Sequence, residues 1–188
     1  MNWQRKSGAI AKHFVFELFR MARSPAGPVA ISHRHIAPVL GATIGERVDA
    51  KHAVSWLAGA LAELHSTLVT QSRRAVAPAG GLFSDEIFAK GRGAATIYIP
   101  CDGPIKSIGR VRPYNSPKVE LATIVHAGSH RSIDLAYGAL ATHVARYERA
   151  ADGPLREHYL VGPLETSDES AWRTEIGWHI VKAAERHN

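Results

Sequence analysis

The chain has 188 residues, 45% hydrophobic and 21% charged, a balance that excludes disordered and fibrous classes and suits one domain or two intimately packed halves. Of the net charge of +6, +4 falls in residues 1–26, where Arg5, Lys6, Lys12, Arg20 and Arg23 stand against Glu17; the near-neutral remainder lacks the basic face that direct nucleic-acid binding requires. A single cysteine, Cys101, excludes a disulfide framework, and with no run of about eighteen apolar residues and no signal-like N-terminus the expected location is the cytoplasm.

In chain order, residues 1–26 read as a basic amphipathic extension in which Phe14, Phe16, Leu18 and Phe19 supply the apolar side. It is expected to pack on the body or support a homodimer, with contact to a partner or a membrane surface as the alternative. The domain proper is expected over 27–188, with halves of about 27–103 and 104–183. Residues 29–36 are β-rich and 42–48 are expected to pair with them. A helix over 50–71 follows, with Asp49 as N-cap and a stripe of Val54, Leu57, Leu61, Leu64 and Leu68. Pro78-Ala-Gly-Gly81 breaks the chain, and 94–100 reads as a strand before the Gly103-Pro104 boundary.

The second half repeats this order. Strands are expected at 108–112 and 119–126, a helix over 132–147 capped by Ser129 or Ser132, then strands at 155–161 and 172–181. A slide of 76 residues lays Pro78 on Pro154, Phe83 on Tyr159, and Leu57, Leu61, Leu64 and Leu68 on Ile133, Tyr137, Leu140 and Val144. Shared helical period explains the stripes but not the matching helix-to-proline spacing, so the reading is an internal duplication. The expected fold is α+β: two tandem βαββ units joined edge to edge in one antiparallel sheet, with two main helices and a ligand cleft at the pseudo-twofold axis.

The chemistry points to the last two strands. Glu157 and Tyr159 share one strand face by the period of two, and Glu175 lies on the final strand with Trp178 on its opposite face. If the strands pair so that both carboxylates meet in one cavity, they and the surrounding aromatics would favour a lipophilic cation; surface ion pairs with Arg156 or Arg173 are the alternative. Tyr137 lines the cavity or packs in the core, Trp56 covers the cleft or lies half-buried outside it, and Phe83 is a cleft or core aromatic. Eleven histidines occur, His33 and His35 among them, but no neighbouring ligand set, nucleophile triad or phosphate loop accompanies them, so no metal, cofactor or catalytic residue is expected.

These segments resemble a known family. Residues 80–88, 119–129, 133–140, 152–163 and 172–178 together resemble the GyrI-like effector-binding domain, in the version found at the C-terminus of MerR-type transcription regulators. The resemblance implies multidrug binding: a cleft for hydrophobic, often cationic, drug-like molecules, with an acidic residue at the position of Glu157 or Glu175 meeting positive charge and Tyr137 and Tyr159 at pocket positions. The short extension leaves no room for a winged helix-turn-helix, so a stand-alone binding protein for sensing or sequestration is expected rather than a direct promoter binder. Two alternatives stand: a hydrolase of strained electrophiles using Glu157, Glu175 and Tyr159, and a protein-interaction or inhibitor module.

Overall fold

A computed structural model of the chain describes residues 30–181. Its strands are β1 (Ser32–Ile36), β2 (Leu40–Asp49), β3 (Gly80–Phe83), β4 (Arg92–Pro100), β5 (Arg112–Asn115), β6 (Val119–Ala127), β7 (Leu155–Val161) and β8 (Arg173–His179). The helices are α1 (Ala53–Thr70), the short α2 (Asp85–Lys90) and α3 (Ile133–Tyr147). All eight strands form one sheet in the order β1-β6-β8-β7-β3-β4-β2-β5, antiparallel throughout. The fold is therefore α+β, with the two main helices over one sheet. The extension expected over 1–26 lies outside the described residues.

The strand order is a palindrome of repeats, β6-α3-β7-β8 answering β2-α1-β3-β4. At its centre β3 meets β7, and Gly81 pairs with Glu157. These are also the residues that a slide of 76 superposes, so the pseudo-twofold axis passes through this pair. Each helix buries the stripe its sequence supplies: Leu57, Leu61, Leu64 and Leu68 in α1, and Tyr137, Leu140 and Val144 in α3. Two apolar cores result, one around Ile44, Leu64 and Ile97 under α1, the other around Leu140, Leu155 and Ile176 under α3. Each fully buried aliphatic side chain contributes about 1.5–3 kcal/mol through removal from water.

Several expectations are corrected. β1 does not pair with β2: it crosses to β6, with Ser32 opposite Thr123, while β5 pairs with β2, with Asn115 opposite Leu40. The edge strands are thus exchanged between the halves. Asp49 does not cap α1; a 3-10 turn over Ala50–His52 intervenes, and neither Asp49 nor His52 makes a side-chain cap bond. Ser129 caps the 3-10 turn before α3, its Oγ accepting from the Arg131 N–H at 3.4 Å, whereas Ser132 makes no such bond. The strand expected at 108–112 forms at Arg112–Asn115 instead. Val54 leaves the buried stripe and is 57% exposed, because its turn of α1 faces the gap between the helices.

Candidate functional site

Helix α1 rests mainly on β2 and β4, and α3 mainly on β6 and β8, so β3 and β7 lie between the two helices rather than beneath either. With strands about 4.8 Å apart, four strand spacings hold the helix axes roughly 19 Å apart. Packed helices sit about 8–10 Å apart. A gap along the axis is therefore built into the strand order, and it holds a cleft of about 370 Å³.

Equivalent positions of the two repeats line this cleft. Val54 and Leu57 come from α1, and their counterparts under the 76-residue slide are His130, in the 3-10 turn before α3, and Ile133, the first residue of α3. Ile87 and Phe88 of α2 also line it. The symmetry fails where chemistry enters. Leu61 and Gly81 of the first repeat become Tyr137 and Glu157 of the second, so one wall is apolar and the other carries a hydroxyl and a carboxylate.

Glu157 lies on the floor and is only 7% exposed. The Tyr137 hydroxyl donates to its Oε1 at 2.5 Å, and the Phe88 ring tilts against Tyr137 at a centroid distance of 5.1 Å. Among the described residues no Arg, Lys or His forms a salt bridge with Glu157. Burial, then the Glu157 charge, pushes the Tyr137 hydroxyl well above its ordinary pKa. Burial also lowers the His130 imidazole, against an upward pull from Glu157, so His130 is expected to be neutral at pH 7.

Seven side chains were expected at the site, and the structure gathers three of them in the cleft: Glu157, Tyr137 and Phe83. Tyr159 packs in the first core, its buried hydroxyl close to Glu157 but outside hydrogen-bond geometry, and burial and then the Glu157 charge raise its pKa well above the usual value. That hydroxyl needs the absence of a side chain at Gly81, where a Cβ would lie 2.7 Å from it. Trp178 belongs to the second core. Trp56 is not among the cleft-lining residues, and its indole N–H donates to Glu46 at 2.8 Å.

The expectation that Glu157 and Glu175 share a cavity is overturned by the register. Glu157 stands opposite Ile176 and Glu175 opposite His158, which puts the carboxylates on opposite faces of the sheet. Glu175 is already paired: Arg34 donates to both its oxygens at 2.7 and 2.9 Å, and His158 Nδ1 lies 3.0 Å from Oε1. Burial pushes the Glu175 carboxyl up, but the hydrogen bonds from His158 and Arg34 and the Arg34 charge outweigh it and hold the group below its usual range. A depressed folded pKa contributes stability above the unfolded value of about 4.3 that is lost as pH falls through the folded value. Arg34→Ala is therefore expected to lower stability by about 0.5–1 kcal/mol at pH 7, since Arg34 is half exposed. Urea midpoints of the two proteins should converge as the pH falls from about 4.3 through the lowered folded value of Glu175.

A larger hollow of about 550 Å³ runs along the exposed end of β6, with Arg34 and Glu175 in its wall. Its carboxylate is neutralised by Arg34, so it lacks the unmatched charge of the axial cleft. Sequence reasoning missed Phe88, Ile87, Val54, Ile133 and His130 as lining residues. The repeat itself held the signal, since a cleft on a twofold axis is lined by residues 76 positions apart.

No family model and no curated protein matches the sequence. Solved structures match the fold. The C-terminal domain of EcmrR superposes with a TM-score of 0.73 at 17% identity, over 84% of this chain and 100% of that one. In the EcmrR–DNA complex the TM-score is 0.70 at 18% identity, over 82% of this chain, which spans 58% of the EcmrR chain. SAV2435 bound to tetraphenylphosphonium matches with a TM-score of 0.57 at 12% identity, over 84% of this chain and 98% of that one. A hydrolase from Listeria innocua matches with a TM-score of 0.56 at 9% identity, over 89% and 98%. The chain therefore has the fold of the EcmrR C-terminal domain and of SAV2435, consistent with the GyrI-like resemblance of its sequence segments. No helix among the described residues is long and apolar enough to cross a membrane.

Proposed function

We propose that the chain is a ligand-binding domain that takes a hydrophobic cation in the axial cleft, for sensing or sequestration and without turnover. The observation that carries this reading is Glu157, a buried carboxylate in an apolar cleft that accepts from the Tyr137 hydroxyl and, among the described residues, forms no salt bridge. Burying a carboxylate in this way costs several kcal/mol unless a positive charge meets it. A lipophilic cation supplies that charge, while Phe83, Phe88 and the aliphatic walls bury its apolar surface. SAV2435, which shares the fold, was solved with such a cation.

Isothermal titration of the chain with tetraphenylphosphonium tests the proposal. One saturable site, with much weaker binding of triphenylphosphine oxide, is expected; equal affinity for the cation and the neutral lipophile would overturn it. The hydrolytic alternative required Glu157, Glu175 and Tyr159 to act on one substrate. The strand register separates Glu175 from the other two by the thickness of the sheet.

A further inference from the structure

At the β1 edge, away from the cleft, three side chains from separate elements converge. His33 projects from β1, His143 from the last turns of α3, and Glu148 is the residue at which α3 ends. His33 and Glu148 are 115 residues apart in the chain, which hides the set from any spacing rule. The Nε2 atom of His33 lies 2.6 Å from Glu148 Oε1, and Nε2 of His143 lies 3.2 Å from the same oxygen. All three ligand atoms fall within 4.8 Å of one another.

We propose that His33, His143 and Glu148 form a zinc-binding site that fastens the exchanged edge strand β1 to the C-terminal end of α3. Two imidazoles and one carboxylate are an established donor set for zinc, and ligand atoms about 2.0–2.1 Å from a tetrahedral ion stand roughly 3.3 Å apart. The two separations to Glu148 Oε1, 2.6 and 3.2 Å, fall short of that value, and all three atoms lie within 4.8 Å of one another, so modest side-chain rotations suffice. The imidazoles are 58% and 27% exposed and the carboxylate 16%, which leaves the fourth position open to water. The end of α3 also favours a cation, because its last carbonyls point toward it. The Tyr147 ring tilts against His143 at 5.2 Å and restricts the imidazole.

Zinc titration of tag-free, chelator-stripped chain by calorimetry decides the matter, with cobalt absorption as a readout of four-coordinate geometry. One ion per chain with micromolar affinity is expected. His33→Ala, His143→Gln and Glu148→Gln should each weaken binding at least tenfold. His35→Ala is the control, since His35 pairs instead with Glu120 at 2.7 Å, and it should bind as the parent does. Zinc should raise the melting temperature of the parent and of His35→Ala but not of His33→Ala. Retention of parental affinity by both His33→Ala and His143→Gln, or a stoichiometry well below one, would overturn the proposal. Circular dichroism of the metal-free variants separates loss of a ligand from loss of fold.

Discussion

Replacing Glu157 with glutamine is expected to weaken tetraphenylphosphonium binding by about 10- to 100-fold while changing triphenylphosphine oxide binding by less than about threefold, differences of roughly 1.4–2.7 and 0.7 kcal/mol. The substitution preserves shape, and the Tyr137 hydroxyl can still donate to the amide oxygen, as it now does to Oε1. What it removes is charge. At an effective dielectric near 20, opposite charges about 4 Å apart attract by about 4 kcal/mol, and part of this is returned as the cost of desolvating the cation. The neutral lipophile meets only the apolar walls, so its affinity measures the cleft's shape alone. Titration of both ligands against both proteins gives the comparison, and equal losses would remove the carboxylate from recognition.

Leu64→Ala and Leu140→Ala are each expected to cost about 2–5 kcal/mol. Both leucines are 0% exposed, they occupy equivalent places under the 76-residue slide, and each sits at the centre of one core. Truncation leaves a cavity that the sheet beneath cannot collapse to fill. A chain of this length should melt about 5–15 °C lower. Although the damage is confined to one core, each variant should unfold in a single transition, because β3 and β7 share a ladder and each half borders on a strand of the other. Denaturant melts followed by Trp fluorescence and by circular dichroism test this; two separated transitions would show that the halves fold independently.

What could be read beforehand follows from which interactions are local. The helix stripes, the 76-residue repeat and the central pairing of the halves are written in apolar periodicity and spacing, and the structure keeps them except at the first stripe positions, where Val54 is exposed and Ile133 only partly buried. The partner of β1 is not written there. Five residues, Ser-His-Arg-His-Ile, fix a strand but carry nothing that distinguishes β2 from β6 as a neighbour. The faces of Glu157 and Glu175 failed for a related reason. Alternation fixes which residues share a face within one strand, but the relative parity of two strands depends on a register set by the whole sheet. Here that register pairs Glu157 with Ile176. Glu175 then takes Arg34, 141 residues away, a contact that exists only because β1 crossed over.

That crossing also decides what one half would be without the other. Each half lends its outermost ribbon to its twin, so parting them would strip both of a hydrogen-bonded border and leave raw margins open to any passing strand. A polypeptide holding one copy alone would have to clasp a sibling to complete itself. Joining two copies in tandem turns that search into a fold that closes on itself, and it lets one copy gain an acid and a phenol while the other stays bare.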